Sequence, residues 1–228
     1  MRGCDGARFE GARVRRCEVR GCEGATVRGA RVRRYDRATA RAMVGRSGAH
    51  DLVQSTSVAR LNIGCGRKRL PDAVNLDISA DVGADVVHNL DTTPWPFPAD
   101  SFDEVHAYDV LEHVHDVVGA LEEIHRISRP GAVLHATVPH FSSANAFTDV
   151  THRHWFGWRS FEPFDSAHEH AHYSTARFRC RHSRISFERS LVNRAVFRLA
   201  NRWPHEYERR WAWMFPAWFL YFQLEVVK

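Results

Sequence analysis

Two glycines one residue apart, Gly64 and Gly66, follow a short apolar run, and Asp77 closes the next one. A glycine turn at a strand end lets backbone approach a ligand where a bulky side chain would block it. An acid at the end of the adjacent strand can accept hydrogen bonds from two ribose hydroxyls. Asp91 follows a third short run, and Tyr108, Asp109 and His113 follow a fourth. Such groups at successive strand ends are how an open α/β sheet builds a nucleoside pocket. A second set lies downstream, where His140, Asp149 and His152 fall within PHFSSANAFTDVTHRHWF. Imidazole titrates near neutrality and can take a proton from an acceptor hydroxyl. Three readings stay open here: a base at His140 or His152, a divalent-metal site on all three residues, or Asp149 merely orienting His152 within a lid.

The elements that must position these groups alternate between strand and helix. Strands are expected over Ala59–Ile63, Val74–Asp77, Asp85–His88 and Asp103–Ala107. The Pro-rich TTPWPFPADS that precedes the fourth can be neither helix nor central strand. Asp116 is placed to cap a helix carrying Val117, Leu121 and Ile124 at helical spacing, stopped by Arg129-Pro130-Gly131. Ala132–Val138 reads as a fifth strand, Arg177–Glu188 as a sixth, Leu191–Ala200 as a helix and Phe219–Val226 as the last strand. A short helix at Asp51–Thr56 would cover the pocket. This order predicts an α/β, doubly wound, mostly parallel seven-stranded sheet of the Rossmann-like kind. One departure stands out: only Arg67–Ala73 links strands one and two, too few for the usual helical crossover, so the first crossover is shortened.

Charge divides the chain unevenly. Residues 1–50 hold thirteen arginines against five acids, a formal +8, so the rest carries −3 of the total +5. That weakens any argument from basicity to nucleic acid. GARVRR occurs at Gly11–Arg16 and again at Gly29–Arg34, with few large apolar residues between. Residues 1–49 are therefore expected to be an Arg/Gly-rich tail, disordered or translated from a start upstream of the native one, and residues 50–228 the folded domain. Five cysteines without paired spacing fit neither a disulfide framework nor a zinc site, which points to a cytoplasmic setting. The longest apolar run, Trp211–Phe222, is interrupted by Pro216 and too short to span a bilayer. Arg202–Tyr221, dense in aromatics among arginines, is either an aromatic core or an interfacial segment touching lipid. His168, His170 and His172 would share one face if they lay on a strand, a weak metal signal.

LNIGCG at Leu61–Gly66, the Val74–Asp77 strand and DVLEH at Asp109–His113 together resemble class I S-adenosylmethionine-dependent methyltransferases. The resemblance is good from Val58 to about Pro139 and looser beyond. It implies S-adenosyl-L-methionine as cofactor, bound along Gly64, Cys65, Gly66, Asp77, Ile78, Leu90, Asp91, Tyr108 and Asp109. Leu90 would pack on adenine, with Asp91 or its neighbours reading the exocyclic amine. Many relatives carry an acid at the position of Asn62, so the methionine ammonium must find another partner here. A dinucleotide dehydrogenase would show a third glycine opening a full helix, which RKRLP after Gly66 does not provide. The turn Tyr108-Asp109-Val110-Leu111 lacks the [DNS]-P-P-[YF] of base-amine methyltransferases, so no nucleic-acid acceptor is expected. The acceptor is instead expected to be oxygen or nitrogen of a small molecule or glycan, closed in by an insert over about 140–176. His140 and His152 are the candidate bases, with Asp149 beside them. Two other function classes stay open: a SAM-binding partner protein without catalysis, and a nucleic-acid-binding protein acting through the tail.

Overall fold

The computed structural model describes residues 59–228. The expected helix at Asp51–Thr56 and the arginine-rich segment lie outside the described residues. Seven strands form one sheet: β1 (Arg60–Ile63), β2 (Val74–Asp77), β3 (Val86–Val87), β4 (Phe102–Tyr108), β5 (Ser128–Pro139), β6 (Phe178–Ile185) and β7 (Phe219–Val226). Their spatial order is β3-β2-β1-β4-β5-β7-β6. The first five are mutually parallel, and β7 runs antiparallel to both β5 and β6. The order reverses between β1 and β4, and in open α/β sheets ligands bind at the strand ends beside that reversal.

Helix α1 (Val117–Ile127) begins as the sequence indicates, with the Asp116 side chain accepting from the Gly119 amide at 2.9 Å. Its inner face buries Ala120, Leu121, Ile124 and Ile127 beside a core of Leu61, Ile63, Leu76, Val105 and Leu134. Strand β5 starts four residues earlier than expected. Ser128 pairs with Phe102, then a register shift accommodates Pro130-Gly131 before Val133 pairs with Glu104. A bulge is where a strand tolerates a residue that cannot donate to the ladder.

No helix replaces the missing first crossover; two buried asparagines do. The Asn75 side chain accepts from the Leu70 amide at 2.8 Å and donates to the carbonyls of Leu70 and Ala73, each at 3.0 Å. Asn62 donates to Lys68 O at 3.2 Å and to Asn75 Oδ1 at 2.9 Å. Backbone polar groups that a helix would have paired are thus satisfied by side chains.

The Pro-rich loop runs over the surface but sinks Trp95 and Phe97 into the core. Trp95 is buried, its amide donating to Glu123 and its indole N–H to Leu90 O at 3.0 Å. Arg126 pairs with Glu123 and also donates to Trp95 O and Phe97 O. This network carries the position of Leu90 back to α1.

After β5 come a four-residue helix, α2 (Asn145–Thr148), and two single turns. Then follow β6, α3 (Leu191–Arg202), α4 (Pro204–Arg210) and β7. The expectation of an aromatic core over Arg202–Tyr221 holds only in part. Tyr207 is buried, but Trp203, Trp211, Trp213 and Trp218 are exposed, Trp213 by 70 %. Short α4 and Pro216 cannot turn all four indoles inward at once. No helix among the described residues is long and apolar enough to cross a membrane.

Candidate functional site

At the sheet reversal the two glycines differ in what they do. Gly64 has φ +60°, and a Cβ there would sit 2.2 Å from Val110 Cγ2, so glycine is required by packing. Gly66 has φ +47°, and a Cβ there would meet nothing within 4 Å: its surroundings are open space. Asp77 binds the turn, accepting from the Gly66 amide through Oδ2 at 2.8 Å and from the Ser79 amide through Oδ1 at 2.9 Å. Each carboxylate oxygen has a second lone pair, so both remain able to accept from a diol.

A cavity of about 260 Å³ opens at this edge. It brings together Gly64, Asp77, Ile78, Leu90, Asp91, Asp109 and His113, all of which the sequence sets at this edge. Cys65, Gly66 and Tyr108 do not line it. Cys65 is buried, its amide bonded to Leu76 O at 3.1 Å and its thiol pushed up by that burial. The Tyr108 hydroxyl pairs with His106 Nδ1 at 2.9 Å instead. Asp109 adopts φ +55° and is held by Thr137, whose hydroxyl donates to Oδ1 at 2.7 Å. Asp91 receives the His115 amide and pairs with the His115 ring, both at 2.7 Å. Burial works to raise its carboxyl, but the His115 bonds outweigh it and hold the group below its ordinary range. Asp91 therefore anchors the loop leading to α1. Asn62, turned into the crossover, does not face the cavity.

The segment after β5 is tied to the turn after β4. His113 Nδ1 lies 2.8 Å from Thr151 Oγ1, the Arg153 amide donates to Glu112 O at 2.8 Å, and His154 Nε2 lies 2.9 Å from Val114 O. The His113 and His152 rings meet edge to face with centroids 4.6 Å apart. Burial and the neighbouring His152 lower the His113 pKa. Asp149 accepts from both the amide and hydroxyl of Thr151, which lower its carboxyl. Beneath them lies Glu112, 1 % exposed, with Oε2 lacking any hydrogen-bond partner. Burial, reinforced by the carboxylates of Asp109 and Asp149, pushes its pKa up to about 8. Glu112 went unmarked in the sequence. The signal was the DVLEH turn itself, where a glutamate sits among residues otherwise assigned to the pocket.

His140 is not placed to act as a base. It is fully buried, with Nδ1 accepting from the Ser142 amide at 3.1 Å and Nε2 3.2 Å from Glu208 Oε1. Glu208 also receives the Trp158 amide. Both ring nitrogens are used, and the residue joins the end of β5 to α4. The metal set of His140, Asp149 and His152 is likewise not assembled; among the described residues the group with converging ligand atoms is Glu112, His113 and His152. His168–His172 forms turns, not a strand, and His170 stacks on Tyr173.

A family model described as a methyltransferase domain matches residues 58–182. The chain belongs to that family. The fold agrees with a SAM-dependent methyltransferase from Archaeoglobus fulgidus, at 15 % identity over 74 % of this chain and 86 % of that one, with a TM-score of 0.53. Another similar structure is an S-adenosylmethionine-dependent methyltransferase from Mesorhizobium loti (16 % identity, 82 % and 96 % covered, TM-score 0.44). A third is a Haemonchus contortus phosphoethanolamine N-methyltransferase crystallised with S-adenosyl-L-methionine (13 %, 80 % and 52 %, TM-score 0.47). No curated protein matches the chain. The methyltransferase edge here fits S-adenosylmethionine on its own terms. Asp77 can accept from a ribose diol, and Ile78 and Leu90 present apolar surface to the cavity.

Proposed function

We propose that this methyltransferase domain moves the methyl group of S-adenosyl-L-methionine to oxygen or nitrogen of a small-molecule or glycan acceptor. The observation that carries the reading is the shared cavity, in which Asp77 and the Gly64 turn stand across from His113. When bound, the cofactor offers a sulfonium methyl: the acceptor's lone pair attacks the methyl carbon, the C–S bond breaks, and its electron pair stays on sulfur. Gly64, Gly66, Asp77, Ile78, Leu90, Asp91 and Asp109 are the residues we assign to cofactor binding. Asp77 would hold the ribose, Leu90 and Ile78 would offer apolar surface to the base, and Asp91 holds the flanking loop through His115. Holding both reactants in line supplies most of the rate. The acceptor docks against His113 and His152, and the proton that its attacking oxygen or nitrogen loses passes to solvent water.

We place the domain at residues 50–228, with the 140–176 insert as the acceptor lid. The bonds from Thr151, Arg153 and His154 to the β4 turn support that assignment. The face of Arg202–Tyr221 we assign to peripheral contact with an anionic bilayer. Exposed Trp203, Trp211 and Trp213 beside Arg202, Arg209 and Arg210 support it, since indole and guanidinium both suit the headgroup layer.

The full chain incubated with S-adenosylmethionine and a panel of hydroxyl- and amine-bearing metabolites and saccharides tests the reading. S-Adenosylhomocysteine should form only when a productive acceptor is present, and His152→Ala should abolish its formation. Cofactor binding without product on every acceptor would favour a non-catalytic binding protein.

A further inference from the structure

We infer that Glu112, His113 and His152 form a binding site for a divalent transition-metal cation beside the cofactor cavity, which His113 lines. Each residue offers one ligand atom, and these atoms all lie within 4.8 Å of one another. A second observation points the same way: Glu112 Oε2 is buried without a hydrogen-bond partner in a residue only 1 % exposed. A buried carboxylate oxygen left unpaired costs free energy that a bound cation would recover.

Hydrogen bonds around the imidazoles prepare both as ligands. The Ala146 carbonyl, 3.3 Å from His152 Nδ1, can only accept, so Nδ1 carries the proton and Nε2 presents its lone pair. Thr151 donates its hydroxyl to Asp149 Oδ1 at 2.7 Å, which leaves its oxygen to accept from His113 Nδ1 at 2.8 Å. His113 Nε2 is thereby also the bare nitrogen. An imidazole that ligates through one nitrogen and donates through the other is the arrangement that fixes tautomer and ring angle in metal sites. Asp149 and Thr151 are the positioning residues of this site. Two imidazoles with one carboxylate select borderline cations such as Zn²⁺, Co²⁺ or Fe²⁺ over Mg²⁺ and Ca²⁺, which prefer oxygen alone.

His113 lines the cofactor cavity, so a cation held by its ring would border that space. An acceptor hydroxyl coordinated to it would be acidified, its proton passing to solvent water while the oxygen attacks the methyl carbon. That role rests on the methyl-transfer reading. The cation site itself does not.

The test uses the full chain, stripped with a chelator and titrated with Co²⁺ alone. Visible d–d absorption should saturate at one equivalent without the near-ultraviolet sulfur-to-metal band that a cysteine site would give. The thermal midpoint should rise in parallel. Glu112→Gln, which keeps shape while removing charge, and His152→Ala should each weaken Co²⁺ binding by about tenfold or more. His168→Ala, on a separate turn, should leave it unchanged. No Co²⁺ binding by folded protein, or binding that both variants leave intact, would overturn the inference. Titrating S-adenosylmethionine into the same proteins keeps the two claims apart, because cofactor binding can fail while the cation still binds, and the reverse.

Discussion

The strand-end edge of β1, β2 and β4 and the aromatic face of α3 and α4 are both candidate contact surfaces, but they are built in opposite ways. At the edge, polar groups are held individually: Asp77 by two amides, Asp91 by His115, Asp109 by Thr137. On the face, a cleft of about 590 Å³ is bounded by Leu199, Trp203, Tyr207, Trp211 and Phe215, and both tryptophans are about half exposed to solvent. A held polar edge specifies the position of one small ligand. An exposed aromatic surface suits a broad, fluid partner whose contacts need no fixed register.

The largest effect that would sharpen the contrast comes from Gly64→Ala. A methyl 2.2 Å from Val110 Cγ2 at φ +60° combines overpacking with a disfavoured backbone, and should cost about 3–5 kcal/mol of stability in denaturant unfolding. Gly66→Ala, facing open space, should cost only about 1 kcal/mol while weakening cofactor binding. Equal losses of stability in the two variants would break the division of labour between them.

Next in size is the buried glutamate. In chelated protein Glu112 keeps its proton up to about pH 8, against an ordinary value of 4.5 in the unfolded chain. The folded state then binds more protons across that window, so stability falls as pH rises from about 4.5 to 8 and levels off above. Glu112→Gln should remove this decline and gain on the order of 3 kcal/mol at pH 9, read from urea midpoints across pH. A variant whose pH profile matches the wild type would contradict the burial argument. The smallest effect belongs to the face: Trp211→Ala with Trp213→Ala should lower partition onto anionic vesicles by about tenfold, roughly 1.4 kcal/mol, with cofactor affinity unchanged. Loss of cofactor binding in that pair would mean the two regions are not independent.

The strands and α1 were legible because each rests on local chemistry. Val74–Asp77 and Phe219–Val226 match the sequence expectation residue for residue, and the Asp116 cap is made as spacing indicated. Periodicity and turn residues determine such elements within a few neighbours. What was not legible depended on partners far along the chain. His140 is spent on Glu208, 68 residues away, and Asn62 is turned aside by a crossover that Asn75 organises. Glu112, His113 and His152 come together only because the insert returns to the β4 turn through Thr151, Arg153 and His154. A histidine at a strand end reads the same in sequence whether it opens to a pocket or is sealed behind a glutamate. The four tryptophans stay open between core and surface in the sequence for a related reason: hydrophobicity favours burial, whereas Pro216 and the length of α4 decide whether burial is geometrically available.

The most direct test of the central claim is isothermal titration of S-adenosylmethionine into the full chain and its Asp77→Ala variant. Losing charge-assisted bonds to two ribose hydroxyls should cost roughly 3 kcal/mol, about a hundredfold in Kd, while the wild type binds one equivalent. No binding by folded wild-type protein, or equal affinity in the variant, would contradict the assignment of this edge to the cofactor.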